Sequence, residues 1–187
     1  MNEQNNERKK IIDIAQKFAM ADGLFNITVE EIVGTGKISE ETFYKFFTNI
    51  DELIIELLRT RFGLSDENIL TLPIEEKIKM FTVQIMTQVE TASVKKFKTW
   101  VHEYILMPVN PFIMSDKEIL RKLLTTSLEA GELAPDTPIE DILEFMISFT
   151  YGVAINWAMT NAEFEPLEHM EEFNNLILHS LIPYLTI

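Results

Sequence analysis

The stretch that most constrains the fold is residues 28–58, which reads as two short helices, a tight turn and the start of a third helix. Thr28 is a good N-cap residue, and Glu31 stands three positions later, which is the spacing of a capping box. Gly34 and Gly36 follow, and we expect them to end the first helix, with Gly36 in the left-handed conformation that a tight turn needs. Helix, glycine turn and helix in this order predict a helix-turn-helix.

The next two helices of this stretch carry start signals of their own. Ser39 is an N-cap residue for a second short helix, in which Phe43 and Phe47 lie on one side at i and i+4. Asn49 with Glu52 gives another capping box, which precedes an apolar run. Start signals and apolar spacing therefore agree on the order of helices throughout the stretch.

This part of the chain resembles the N-terminal domain of the TetR family of bacterial transcription regulators. The residues that carry the resemblance are Thr28-Val29, Ile32-Val33, Gly36-Lys37-Ile38-Ser39, Thr42-Phe43-Tyr44, Phe47 and Asp51-Glu52-Leu53, preceded by Ile11, Ile12, Ala15, Phe18 and Gly23. The resemblance implies an all-α fold. It also implies an N-terminal three-helix helix-turn-helix domain over residues 1–62 and a C-terminal helical bundle over residues 63–187 that binds an effector and dimerises.

By this resemblance, the second helix of the motif is a recognition helix that enters the grooves of double-stranded operator DNA. Thr42 and Tyr44 stand at positions that often touch DNA in the family, while helix N-termini and basic residues would meet phosphates. The predicted DNA-binding residues are Arg8, Lys9, Lys10, Thr28, Lys37, Ser39, Glu41, Thr42, Tyr44 and Lys45. The simpler interpretation is a solvated face, because Glu40 and Glu41 also suit a helix N-terminus through its dipole.

Departures from the family pattern and the charge of the chain oppose DNA binding. Gly36-Lys37 stand where the family usually has Ala-Gly, and Ile50 replaces a lysine that commonly meets phosphate. The net charge is −14, and residues 1–60 hold seven Lys or Arg against eleven Asp or Glu, which gives −4. An alternative therefore stays open, namely a TetR-fold dimeric ligand-binding or interaction protein that has lost specific DNA binding.

The remainder of the chain reads as all-helical, with apolar residues at helical spacing and no strand-like alternation. Residues 63–73 form the expected break between the two domains. Pro108 and Pro111 should stop a helix, and Ser115 with Glu118 should open the next one through a capping box.

A long helix predicted over residues 137–161 is apolar on more than one face. Thr137 and Pro138 supply its N-cap and first helical residue. A helix that is apolar nearly all round is buried on several sides, one of which can be a subunit interface. Because TetR-like proteins dimerise through their last two helices, the resemblance implies a homodimer formed by the last two helices of this chain.

The body is rich in aromatic and methionine side chains, most of which should simply form the core. In TetR-like proteins the middle helices also enclose a pocket, so the resemblance implies a site for a small apolar effector. The predicted pocket residues are Phe81, Gln84, Phe97, Trp100, His102, Tyr104, Phe149 and Tyr151.

Several other classes of function are not expected from the sequence. The three histidines are scattered and cysteine is absent, so we expect no metal site, no disulfide and no cofactor. No nucleophile elbow or phosphate loop is present, which argues against an enzyme. There is no run of eighteen apolar residues and no secretory signal, so we expect a cytoplasmic protein that does not enter a membrane.

Overall fold

A computed structural model of the protein describes residues 2–23, 26–61, 67–92, 94–105 and 109–186. Within these ranges the side chains of residues 2–4, 22, 59–61, 67–68, 177, 180 and 182 are not described. The described residues form helices joined by turns, and the only extended pairing among them is an isolated antiparallel bridge between Leu133 and Leu185. The all-α prediction is therefore confirmed.

The helices follow one another along the chain with short connections. They are α1 (Asn2–Asp22), α2 (Val29–Gly36), α3 (Glu40–Tyr44), α4 (Ile50–Arg61), α5 (Glu67–Leu70), α6 (Ile74–Thr91), α7 (Val94–Trp100), α8 (Pro111–Glu129), α9 (Ile139–Met159) and α10 (Pro166–Leu181). A π-helical turn, Val101–Ile105, continues α7, and a 3-10 turn, Ile182–Tyr184, follows α10. We call α1–α4 the head and α5–α10 the body. The short helix α5 falls inside the expected break at 63–73, part of which lies outside the described residues.

The head is built on the apolar stripe of α1. Ile11, Ala15 and Ala19 recur at helical spacing and are buried, and α1 packs against α2, α3 and α4. Gly23 ends α1 with a φ of 84°, a left-handed conformation that favours glycine. A Cβ atom at Gly23 would lie 3.2 Å from the side chain of Thr91, so the end of α1 closely approaches the end of α6 in the body.

The body is organised around α6, which packs against α8, α9 and α10. An apolar stripe at helical spacing runs along this helix and is buried along its whole length. Its members are Ile74, Ile78, Phe81, Ile85 and Val89.

A buried polar network fastens α6 to the turn that follows α8. Lys77 is completely buried, and its Nζ donates to Ser127 Oγ at 2.7 Å and to Glu132 Oε1 at 3.1 Å. The other carboxylate oxygen of Glu132 accepts a hydrogen bond from the backbone N–H of Ile74 at 2.6 Å. Glu132 therefore neutralises the buried ammonium group and also satisfies a free donor at the start of α6.

The start of α8 differs from the prediction. The helix begins at Pro111 rather than at Ser115, because Asn110 is its N-cap and accepts from the N–H groups of Phe112 and Ile113 at 3.0 and 3.1 Å. Proline at the first helical position costs no intrahelical hydrogen bond, so Pro111 opens this helix instead of stopping the one before it. Ser115 consequently lies inside the helix and is buried.

Helix α9 begins one residue later than predicted. The hydroxyl of Thr137 donates to the carbonyl of Ala134 at 2.6 Å instead of capping the helix, and Pro138 occupies the N-cap position. Among the described helices α9 alone is long and apolar enough to span a membrane by length and composition, and half of that apolar window is buried inside the protein. Burial of this kind is what a core helix of a folded domain also shows.

Candidate nucleic-acid interface

The first helix of the motif begins with the predicted capping box. Thr28 Oγ1 accepts from the backbone N–H of Glu31 at 3.3 Å, and Glu31 Oε2 accepts from the backbone N–H of Thr28 at 3.1 Å. Two N–H groups that a helix start leaves without partners are thereby satisfied. The same reciprocal pair fixes the direction in which α2 leaves the preceding loop.

The turn of the motif is made by Lys37 and not by a glycine. Helix α2 continues through Gly34 to Gly36, and Lys37 adopts the left-handed conformation with φ 48° and ψ 46°. The expectation that the glycines interrupt the helix and that Gly36 makes the turn is therefore wrong. Gly36 serves a close approach instead, because a Cβ atom there would lie 3.1 Å from Cδ1 of Ile14 on α1. The left-handed conformation is unfavourable for lysine by about 1 kcal/mol, so packing of α2 against α1 fixes this turn.

The second helix of the motif is short and firmly capped. Ser39 Oγ accepts from the backbone N–H of Thr42 at 3.1 Å and lies 2.9 Å from the Thr42 hydroxyl. Phe43 and Phe47 are buried with their ring centres 5.7 Å apart. This pair holds the inner face of α3 against the core of the head, as the i, i+4 spacing predicted.

The outer face of α3 is polar and accessible. Glu41, Thr42, Tyr44 and Lys45 line a shallow open hollow, and Tyr44 is 52% exposed despite its size. The ammonium group of Lys45 lies 5.7 Å from the centre of the Phe46 ring. One cation, one carboxylate and two hydroxyl-bearing side chains therefore share a surface that faces away from the core.

Helix α4 begins with a modified version of the predicted box. Asn49 Oδ1 accepts from the N–H of Glu52 at 2.9 Å, while the Glu52 carboxylate accepts from the N–H of Thr48 at 2.6 Å rather than from that of Asn49. The hydrogen bonds from Thr48 lower the pKa of Glu52 below its ordinary value. The carboxylate is thus held ionised at the start of α4, where it also suits the helix dipole.

The predicted basic triplet at the start of α1 divides into two parts. Arg8 forms an ion pair with Glu56 of α4, and its guanidinium lies 5.3 Å from the centre of the Phe47 ring. Arg8 therefore braces α1 against α4 and the end of the motif. Lys9 and Lys10 are exposed and remain accessible to a phosphate.

A hydrogen bond joins the head to the body. The hydroxyl of Tyr104 in the π-helical turn donates to Asp51 Oδ2 of α4 at 2.7 Å. Burial of the phenol and the hydrogen bond to Asp51 both raise the pKa of Tyr104. The carbonyl of Tyr104 accepts from the side-chain amide of Asn110 at 2.9 Å, so the N-cap residue of α8 fixes the same turn. A movement of this turn would therefore act on α4, the helix that follows the motif.

Four of the eight predicted pocket residues pack against one another. The ring centre of Trp100 lies 5.4 Å from that of Phe97, 6.1 Å from that of Tyr104 and 5.9 Å from that of Tyr151. Phe112 meets both Trp100 and Tyr104 edge to face. We call these five residues the aromatic cluster. Their rings fill the space between α7, α8 and α9.

The other four predicted pocket residues lie apart from this cluster. Phe81 is in the core on α6, and Gln84 of the same helix is half-buried. Phe149 packs against Phe173 of α10 with ring centres 3.7 Å apart. His102 is exposed and lines a separate surface cleft beside α7. A single pocket lined by all eight residues stays a prediction.

Sequence reasoning missed a buried acid beside the aromatic cluster. Asp116 is only 3% exposed, and its Oδ2 accepts from the Tyr151 hydroxyl at 2.6 Å. Burial raises the pKa of Asp116 to about 7, although the hydrogen bond from Tyr151 acts in the opposite direction. The sequence does place Asp116 on the same helix face as Phe112 and Leu120, four residues from each. This pattern was not recognised because the helix was predicted to start at Ser115.

Comparison with known proteins identifies the fold. No protein-family model and no curated protein matches the sequence. Among solved structures, the chain is similar to the transcriptional regulator FadR from Bacillus subtilis in complex with stearoyl-CoA, with 15% identity over 90% of this chain and 96% of that chain and a TM-score of 0.54. It is also similar to a TetR transcription regulator from Haloarcula marismortui, with 14% identity over 97% and 100% of the two chains and a TM-score of 0.54.

A third solved structure gives the same result. The TetR-family regulator from Cytophaga hutchinsonii has 16% identity over 96% of each chain and a TM-score of 0.51. At these identities the likeness concerns the fold, which is TetR-like along nearly the whole chain. The expected resemblance of the head thus extends to the body, where sequence alone showed only length and helical character.

Proposed function

We propose that the protein is a dimeric transcription regulator, acting as a repressor, that binds a palindromic DNA operator through α3 and leaves it when a small effector binds the body. The observation that carries this proposal is the outer face of α3, where Thr42, Tyr44 and Lys45 are accessible on a capped helix braced by the core. A small protruding helix of this kind fits the major groove of B-form DNA.

Phosphate contacts would come from residues around α3. The N-terminus of α2 at Thr28 and the exposed ammonium groups of Lys10 and Lys37 are suited to hold the DNA backbone on either side of the recognition helix. Because these cations are few, each head neutralises few phosphates. The salt dependence of binding should then be shallow, with log affinity falling by about 0.9 per phosphate neutralised for each unit of log salt concentration.

The second candidate is a regulator-like protein that binds ligands or partners and no specific DNA. The observation that favours it is the pair Glu40 and Glu41, which are exposed at the start of α3 and have no ion pair with any cation that the structure describes. Carboxylates at a DNA-facing surface repel phosphates, although a glutamate can also accept a hydrogen bond from cytosine N4.

Selection from a random duplex library separates these two functions. We expect the wild-type protein to enrich a palindrome whose half-sites lie about 34–36 Å apart or a multiple of that distance. Glu41→Ala should relax the preference at one base pair if Glu41 reads cytosine, whereas Lys37→Ala should weaken binding to all sequences and reduce the salt slope by about one. Enrichment of no palindrome at low salt would favour the second candidate.

The proposed dimer uses the outer sides of α9 and α10. Phe145 and Met159 of α9 are 54% and 74% exposed, and Leu176 of α10 is 63% exposed. Half-buried Phe149 and Phe173 stack between these two helices. An apolar stripe running along two adjacent helices is typical of a surface that a second subunit covers.

Charge placed in this stripe should break the dimer. We expect Phe145→Glu and Leu176→Glu each to convert a dimer into a monomer, because the interface would otherwise bury an unpaired carboxylate. The measurement is molar mass by light scattering across a range of concentrations. Met20→Glu is the matched control, because Met20 is also a large exposed apolar residue and lies on α1, outside the stripe. Dimers that persist in both α9 and α10 variants would place the interface elsewhere.

The effector would act by favouring a state in which the heads no longer fit the operator. FadR of similar fold, whose structure contains stearoyl-CoA, supports an effector with a long apolar part. In this chain, the hydrogen bond between Tyr104 and Asp51 provides a direct connection from the aromatic cluster of the body to α4 of the head. An effector that displaces Tyr104 would release that connection.

A further inference from the structure

Helix α7 and the turn after it have two chemically different sides. On one side, Phe97, Trp100 and Tyr104 belong to the aromatic cluster. Lys95, Lys98, Thr99 and His102 recur at helical spacing on the other side and are exposed. The second side is too polar for a core and is not explained by the proposed DNA contacts, which lie on α1, α2 and α3.

The exposed side of α7 forms one wall of an open cleft. The cleft has a volume of about 610 Å³ and is lined by Val94, Lys95, Lys98, Thr99, His102 and Asn161. Asn161, in the turn between α9 and α10, also lines the cleft, and its Oδ1 accepts from the ammonium group of Lys98 at 2.6 Å. Since the oxygen of the Asn161 amide is used in this way, its NH₂ group is left to donate towards a ligand.

The local charge of the cleft is opposite to that of the protein. Residues 61–187 contain nine Lys or Arg and nineteen Asp or Glu, yet three of the nine cations, Lys95, Lys96 and Lys98, lie within four residues. Neither Lys95 nor Lys98 forms an ion pair with a carboxylate in the described part of the chain. Neighbouring ammonium groups on one helix repel each other, and a bound anion would relieve that repulsion.

We propose that this cleft binds the phosphate group of a small phosphorylated molecule. The cleft supplies two ammonium groups, an amide NH₂ and an imidazole, while no carboxylate is among the described residues that line it. A phosphate offers several strong acceptor oxygens and about two negative charges, which suits lysines acting as point charges.

The consequence for regulation rests on the proposed function, whereas the binding itself does not. The cleft and the aromatic cluster share α7, and the turn that follows α7 carries the Tyr104 hydroxyl bonded to Asp51 of the head. A phosphate bound by Lys95 and Lys98 would therefore hold α7 in place, and with it the turn that carries the hydrogen bond between Tyr104 and Asp51. In this arrangement the phosphate of the effector binds on the outside of α7, and its apolar part binds inside the body.

Calorimetric titration of the full-length protein with inorganic pyrophosphate at low ionic strength tests the site without DNA. We expect saturable binding that Lys95→Gln with Lys98→Gln weakens by about four- to twenty-five-fold, because each of the two exposed charge pairs contributes a factor of roughly two to five. The matched control is Lys17→Gln with Lys79→Gln, which removes two exposed lysines from α1 and α6 and changes the net charge by the same amount. Control affinity should stay within about two-fold of wild type, as expected for distant surface charges.

The possible outcomes separate the cleft from the regulator proposal. Equal affinity of the cleft variant and the wild type would overturn the site, and so would an equal loss in the control variant, which would indicate only general charge. A random DNA duplex that displaces pyrophosphate from the wild type but does not bind the cleft variant would also overturn the site, because the lysines would then bind polyanions in general. Operator affinity of the cleft variant without pyrophosphate should equal that of wild type, and its loss would bear on the proposed function instead.

Discussion

Glu132→Ala is expected to lower the free energy of unfolding by about 3–5 kcal/mol, the range observed when one partner of a buried ion pair is removed. Lys77 is completely buried, and Glu132 is the carboxylate that faces its ammonium group. The substitution would leave this cation with Ser127 as its described partner and would also free the N–H of Ile74 at the start of α6. Urea unfolding followed by far-UV circular dichroism measures the change as a fall in the midpoint at constant slope.

A surface ion pair of the same type provides the control. Arg121 donates two hydrogen bonds to Glu140, at 2.8 and 2.9 Å, and both side chains are exposed. Glu140→Ala should therefore lower the free energy of unfolding much less than Glu132→Ala does, because an exposed ion pair is screened by solvent. Lys77→Met is a second test of the same network. It replaces the buried charge by an apolar side chain of similar length, so it should lower the free energy of unfolding less than Glu132→Ala does. Similar losses in the Glu132 and Glu140 variants would show that burial of Lys77 does not determine the stability of this network.

The features that sequence predicted correctly are those decided within a few residues. Thr28 with Glu31 and Ser39 with Thr42 form their caps inside one helical turn, so type and spacing suffice. The turn at Lys37 was assigned wrongly because its geometry depends on Ile14, more than twenty positions away, packing on Gly36. A distant contact decided which of two neighbouring residues took the left-handed conformation.

Burial of polar residues was the other limit of the sequence. Lys77 lies on a helix whose apolar stripe was predicted correctly, but its partner Ser127 is 50 residues away and no local pattern links them. Asp116 was hidden for a different reason. Pro108 and Pro111 were interpreted as a helix stop, although asparagine followed by proline, as in Asn110-Pro111, is also a start signal, and the wrong start placed Asp116 in the first turn of the helix.

The two candidate sites differ in how far sequence could define them. Most of the residues predicted to contact DNA belong to one short motif, so a common surface for them follows from the motif itself. The pocket residues were chosen by residue type along three long helices, and type alone does not distinguish a ring that lines a cavity from one that fills it. Trp100 packs within the aromatic cluster, whereas Phe149 packs against Phe173 between α9 and α10.

Asp116 should make the stability of the protein fall as the pH rises from about 4 to about 7. Burial raises the pKa of Asp116 from 3.8 to about 7 in the folded protein. Within this window the unfolded chain has lost the proton and the folded protein still holds it, so folding takes up a proton and becomes less favourable as pH increases. A rise of roughly three units corresponds to about 4 kcal/mol, present in full below the lower pKa and lost above the higher one.

Asp116→Asn should remove this slope, because the amide stays neutral and can still accept the Tyr151 hydroxyl. Above pH 7 the variant should be more stable than wild type by roughly 1–3 kcal/mol, because it no longer buries a charged carboxylate. The stabilisation is smaller than the full effect of the pKa shift, because the NH₂ group of the asparagine takes the place of Oδ1, which has no hydrogen-bond partner among the described atoms. Urea midpoints measured at intervals between pH 4 and 8 give the slope directly, and Asp136→Asn, at an exposed aspartate, is the matched control. A slope that survives in Asp116→Asn but disappears in another carboxyl variant would assign the titration to that group, and Asp116 would then be ionised throughout the range.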